Sequence, residues 1–171
     1  VGEGLVEIGN TGRPLKKDEV EKYGLETFPF AIDGVAVVVN PANKVAELSF
    51  EQLIDIYAGK ITNWKAVGGD DAEINLYVRE DGSGTREVFT DKAIKKGDVS
   101  AKANVVNSNG AMKTAVAKDA RAIGYVGIGH IDSSVKAPKL AGMTATQENA
   151  ASGKYTVVRD LFMNTKGKPA G

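Results

Sequence analysis

Apolar positions along this chain recur at two spacings, and the exchange between them predicts strands separated by helices. Val35-Ala36-Val37-Val38-Val39 is apolar throughout, the pattern of a strand covered on both faces. Asn40-Pro41 ends it, because proline cannot donate to a ladder. Upstream, Leu5 to Ile8 predicts a short strand, and Gly9-Asn10-Thr11-Gly12-Arg13-Pro14 reads as a turn. Lys16 to Lys22 is charged and predicts a surface helix. Phe28 to Ile32 predicts another strand, with Asp33-Gly34 as a bend before Val35.

Ser49 opens the clearest helix. It is a good N-cap, Gln52 stands at the capping-box position, and Phe50, Leu53, Ile54 and Tyr57 share one face. Gly59 supplies a left-handed stop. A loop holding Trp64 leads to the apolar run Ile74 to Val78, then to a glycine-rich turn and a helix expected over Glu87 to Lys96. The alternation repeats: a strand at Asn104 to Val106, a helix opened by Ser108-Asn109-Gly110, and a strand over Ile123 to Ile128. A short helix from Gln147 to Ala151 and a β-rich run from Tyr155 to Met163 follow. This order predicts an α/β sheet with crossover helices, in which ligands sit beyond the carboxyl ends of strands.

Composition narrows the chemistry without selecting it. The chain has 171 residues, 42% of them hydrophobic, and no apolar run long enough to cross a bilayer. Lys plus Arg equals Asp plus Glu at 22 each, so no global field attracts nucleic acid or an acidic membrane. Cysteine is absent, which excludes disulfides, thiolate metal sites and thiol nucleophiles. No cofactor or metal is expected, since the lone histidine, His130, has no carboxylate cluster around it in sequence.

The strongest chemical signal is Arg79-Glu80-Asp81-Gly82-Ser83-Gly84-Thr85-Arg86. A strand that turns through glycines into a helix leaves backbone N–H groups without intrahelical partners, at the positive end of the helix dipole. Ser83 and Thr85 add hydroxyls, Arg79 and Arg86 add full charge, and Asp81 is placed to pair with an arginine and hold it. The run is not a nucleotide-binding G-x-x-x-x-G-K-[ST] loop, because a single residue separates Gly82 and Gly84 and no lysine follows. It reads as a seat for a small tetrahedral oxyanion. With charges balanced overall, such a site depends on local donors rather than net charge.

Three segments together resemble the phosphate-binding proteins of ABC transporters: Asp33 to Pro41, Leu53 to Trp64 ending in Gly59-Lys60-Ile61-Thr62-Asn63-Trp64, and Arg79 to Arg86. Ile123-Gly124-Tyr125-Val126 and Val158-Arg159-Asp160-Leu161 extend the resemblance across nearly the whole chain. It implies a periplasmic-binding-protein-like fold of type II, with two α/β lobes that close on a ligand. Residues 33–154 would form a nearly complete second lobe carrying the anion turn. Residues 1–32 and 155–171 would form a partial first lobe, completed by a missing segment of the same protein or by another chain.

By the same resemblance, Arg79 is the phosphate-binding arginine, Asp81 its paired carboxylate, and Ser83, Gly84 and Thr85 the donating helix start. Thr11 would be a hydroxyl donor from the first lobe, and Arg13 and Arg86 additional anion contacts. Some family members carry an aspartate where this chain has Gly12, and it accepts the proton of hydrogenphosphate; glycine cannot. The implied function is non-catalytic: capture of inorganic phosphate and delivery to permease membrane subunits, from a periplasmic or membrane-anchored extracellular location. Hydrogen bonds to charged groups contribute roughly 1.5–3 kcal/mol each, so a chain short of about three donors would bind phosphate far more weakly than a complete site. Two other readings stand beside this one: a phosphatase-like enzyme holding phosphate esters at the turn, and an interaction module in which the turn only caps a helix.

Overall fold

The computed structural model of the chain describes residues 1–168. In chain order the strands and helices are β1 (Ile8–Thr11), α1 (Lys17–Tyr23), β2 (Leu25–Val39), β3 (Glu47–Leu48), α2 (Phe50–Tyr57), β4 (Asn75–Arg79) and α3 (Gly84–Val88). After them come β5 (Asn104–Val106), α4 (Asn109–Lys118), β6 (Ala122–Gly127), β7 (Lys139–Leu140), α5 (Gln147–Ala151) and β8 (Val158–Lys166). The chain divides into two compact units, one of Val1–Asp33 with Arg159–Gly171, the other Gly34–Val158.

The larger unit is built on the second half of β2, whose valines are almost completely inaccessible, as a strand covered on both faces requires. β2 pairs antiparallel with β6, from Val35↔Gly127 to Val39↔Ile123. β6 runs parallel to β4, and β4 parallel to β5, so this sheet is mixed, with the antiparallel pair at β2. Around it lies one apolar core including Leu53, Ile56, Tyr57, Trp64, Phe89, Met112, Val116 and Tyr125. Tyr57 and Trp64 are core residues; the indole Nε1–H of Trp64 donates to the Arg121 carbonyl at 3.0 Å. α2 starts with the expected reciprocal cap. The Ser49 hydroxyl accepts from Gln52 N–H at 3.1 Å, and Gln52 Oε1 accepts from Ser49 N–H at 2.9 Å.

The smaller unit holds β1, α1, the first half of β2 and β8. β1 pairs antiparallel with β8, from Ile8↔Thr165 to Thr11↔Phe162. α1 buries none of its residues and ends at Gly24. Phe28, Phe30 and Ile32 alternate along β2 and are all exposed.

Beyond one-residue shifts at α1, β4 and β6, four features differ from the sequence expectations. The first strand covers Ile8–Thr11 rather than Leu5 to Ile8, because the residues read as a turn pair with β8. The last is Val158–Lys166, shifted toward the C-terminus for the same reason. Asp33-Gly34 makes no bend: β2 is continuous from Leu25 to Val39. Gly34 lets the strand pack closely, since a Cβ there would stand 2.3 Å from Ile128 Cδ1 and force that side chain to shift. Asp33 is fixed by Arg159, whose Nη2–H donates to Asp33 Oδ2 at 2.8 Å. The helix expected over Glu87 to Lys96 begins earlier, at Gly84, and widens into a π-helix at Phe89–Ala93.

Candidate functional site

The candidate anion turn forms where β4 ends. Arg79 is its last residue, and its side chain is 10% exposed. Gly82 adopts φ +83, a conformation that costs a side-chain-bearing residue energy, and turns the chain toward α3. Ser83 is the N-cap, its Oγ accepting from Arg86 N–H at 3.3 Å. Gly84 and Thr85 occupy the first two helical positions, where N–H groups have no carbonyl within the helix to bond. Arg79, Ser83 and Thr85 are buried, whereas Asp81 is 96% exposed at the tip of the turn.

The ion pairs around the turn differ from the expected ones. Arg79 is held by Glu80, with Nε–H to Oε2 at 2.8 Å and Nη2–H to Oε1 at 2.9 Å. This two-pronged hydrogen bond is the first cause of a Glu80 carboxyl held below its ordinary value. Asp81, expected to pair with Arg79, instead meets Arg86 Nη1 at 2.8 Å, and the same Nη1–H group donates to the Arg79 carbonyl at 2.7 Å. The reason is geometric: the adjacent carboxylate already takes one edge of the Arg79 fork, and the Gly82 turn carries Asp81 toward the helix. Glu80 uses two of the five N–H donors of Arg79, so the others keep their capacity for an anion. Two arginines and two carboxylates cancel in formal charge at this corner. Any preference for an anion here would rest on where the donors point, not on net charge.

The structure therefore brings Arg79, Asp81, Ser83, Gly84, Thr85 and Arg86 together in the larger unit. Thr11 and Arg13 belong to the smaller one and are engaged inside it. Thr11 Oγ1–H donates to the Arg13 carbonyl at 2.8 Å and accepts from Asn164 Nδ2–H at 3.0 Å. Arg13 grips Glu19 with both Nη groups, at 2.9 and 2.8 Å. That grip, joined by a Lys16 backbone N–H, lowers the Glu19 carboxyl to about 2. Gly12 is explained by its neighbour: a Cβ there would lie 2.7 Å from Arg159 Nη1, and that guanidinium is tied to Asp33. Among the described residues no three His, Cys, Asp or Glu side chains converge to hold a metal ion. His130 is exposed at the end of a short 3₁₀ turn.

Two residues that hold the corner carry no signal of it in the sequence. Glu80 is one, since the spacing favours either neighbouring carboxylate equally. Tyr125 is the other: its Oη accepts the buried Arg79 N–H at 2.9 Å from far along the chain.

The family model of the PBP superfamily domain matches residues 2–171. The chain belongs to the PBP superfamily. Among its relatives, the phosphate-binding protein PstS of Bacillus subtilis (strain 168) is 34% identical over 173 residues, covering 100% of this chain and 57% of that protein. A solved substrate-binding protein assigned to a phosphate ABC transporter of Clostridium perfringens, with bound phosphate, superposes with TM-score 0.87 at 39% identity. The match covers 96% of this chain and 68% of that one. An ABC-type phosphate transport receptor from Vibrio cholerae gives TM-score 0.79 at 41% identity, covering 98% and 70%. The chain thus spans a little over half the length of the Bacillus relative. These relatives are binding proteins of a transporter, not enzymes, and the mixed α/β fold is theirs.

Proposed function

We propose that this chain carries the principal oxyanion-binding corner of an extracytoplasmic solute-binding protein that captures inorganic phosphate for an ABC importer. The observation that carries the reading is the Arg79–Thr85 corner: a guanidinium oriented by a carboxylate, set beside the unpaired N–H groups of a helix start. Relatives by sequence and by structure that are named for phosphate binding or phosphate transport support phosphate as the anion.

In this reading Arg79 and the N–H groups of Gly84 and Thr85 bind phosphate oxygens, and the Ser83 and Thr85 hydroxyls add donors. Asp81 acts indirectly, by holding Arg86 against the Arg79 carbonyl. Thr11 becomes a phosphate contact only after its hydroxyl leaves the Arg13 carbonyl. Arg13 serves chiefly to fix Glu19. Delivery to permease subunits, and a periplasmic or membrane-anchored extracellular setting, belong to the same proposal. The enzyme reading has no observation in its favour.

Calorimetric titration of the 171-residue chain with phosphate tests it. Hydrogen bonds to a charged group contribute about 1.5–3 kcal/mol, so Arg79→Ala is expected to weaken phosphate by roughly ten- to a hundredfold. Equal binding by both proteins would remove Arg79 from the site.

A further inference from the structure

β4 and β6 pair in parallel with Asn75↔Ala122 and Leu76↔Ile123 in register. Arg79 lies beyond those pairs, at the end of its strand, and its N–H is buried. A side chain takes the ladder's place: Tyr125 of β6 offers its phenol oxygen to that N–H at 2.9 Å. The ring that carries this oxygen is itself clamped. Phe89 stacks on it with centroids 3.9 Å apart and planes 6° from parallel, and Tyr57 packs edge-on against Phe89 at 4.7 Å. Phe89 is the first residue of the π-helix that continues directly from α3. The phenol therefore touches the strand end through its oxygen, and the helix through its ring face. Those are the two elements that supply the guanidinium and the helix-start donors. Burial pushes the Tyr125 hydroxyl up to about 12, so it stays a neutral acceptor across the working pH range.

We infer that Tyr125 is a positioning residue for the oxyanion corner: clamped by Phe89, it fixes the separation between Arg79 and the N–H groups of Gly84 and Thr85, and thereby sets anion affinity without touching the anion. This deepens the phosphate-binding reading and rests on it. A tetrahedral anion spanning both elements is sensitive to their spacing, because misplacement of either lengthens hydrogen bonds that weaken steeply with poor geometry. Phenylalanine at this position keeps the ring stack but leaves a buried N–H without an acceptor, and the strand end then shifts to find one.

The test is phosphate titration by calorimetry, with thermal melts, on the 171-residue chain and a small set of variants. Tyr125→Phe is expected to weaken phosphate about tenfold. Tyr155→Phe is the control, since Tyr155 Oη–H donates to the Val35 carbonyl at 2.9 Å and is equally buried away from the corner. It is expected to lower the melting temperature comparably and leave affinity unchanged. In an Arg79→Lys background Tyr125→Phe is expected to have a much smaller effect, because Tyr125 acts by placing the guanidinium that Arg79→Lys has already removed. An unchanged affinity in Tyr125→Phe, an equal loss in Tyr155→Phe, or full additivity with Arg79→Lys would each overturn the inference. If Tyr125→Phe fails to fold, Phe89→Leu replaces it. That variant keeps the phenol but removes its clamp, and weaker phosphate binding supports the inference while wild-type affinity overturns it. Absence of phosphate binding by the unsubstituted chain overturns the phosphate reading itself, and this inference with it.

Discussion

Arg79 shows how neighbours fix a guanidinium in the place proposed for anion binding. Its backbone is tied to Tyr125 through the N–H and to Arg86 through the carbonyl, and its side chain to Glu80. A guanidinium held in this way has lost much of its rotamer freedom before an anion arrives, so less ordering opposes binding. The sequence makes the arginine and its surrounding donors legible, because strand, glycine turn and helix start are consecutive. It leaves the pairing of carboxylates illegible. Whether Glu80 or Asp81 reaches Arg79 depends on the left-handed Gly82 turn and on side-chain rotamers, not on spacing. Gly12 is similar: its reason is the Arg159 guanidinium, which comes from the other end of the chain. In the smaller unit, the Arg13–Glu19 pair yields a pH prediction. A carboxyl lowered from 4.5 to about 2 in the folded state adds stability that is complete above its unfolded value. That stability is lost as pH falls through the folded value. Glu19→Gln is therefore expected to lower the urea midpoint near neutral pH, with the difference from the unsubstituted chain vanishing toward pH 2. A difference independent of pH would contradict the assigned cause.

Two helix starts with the same local chemistry separate structure from function at the scale of elements. Ser49 and Ser83 both cap through their hydroxyls, accepting the N–H of Gln52 and Arg86 respectively. Removing either hydroxyl is expected to destabilise the chain by about 1 kcal/mol, the usual contribution of an N-cap. Only Ser83→Ala is expected to weaken phosphate as well, since Ser49 caps a helix that does not follow the anion turn. Urea unfolding with calorimetry on both variants checks this, and equal phosphate affinity in the two would deny Ser83 a part in the site. The Ser49 cap is legible, because the capping signal lies within four consecutive residues; the helix after Ser83 begins at Gly84, before the expected Glu87. The widening of α3 at Phe89 was not, since a π-turn is stabilised by what its side chains meet. Here that is the stack on Tyr125. The continuity of β2 was also misread, because a glycine that permits close packing against Ile128 looks in sequence like one that permits a bend.

For the whole molecule, the alternation of the longer strands and helices and the character of the buried valine strand are legible in the sequence, whereas the two-residue strands β3 and β7 are too short to leave a pattern. The PBP fold and its phosphate-binding relatives followed from motifs in order. The antiparallel placement of β2 against β6 did not, since strand direction in a sheet depends on partners distant in sequence. The two units differ in what they bury. The apolar core runs from Val35 to Val157, whereas Phe28, Phe30 and Ile32 of the smaller unit stand exposed. The proposed corner belongs wholly to the better-packed unit, so its geometry is fixed by core contacts. The most direct check is a phosphate titration of the ¹⁵N-labelled chain followed by amide chemical shifts. The account predicts that the Gly84 and Thr85 amides move first and furthest, saturably, and that Arg79→Ala moves their midpoint to roughly ten- to a hundredfold higher phosphate. Saturable shifts centred elsewhere, or shifts at Gly84 and Thr85 that survive Arg79→Ala unchanged, would contradict it.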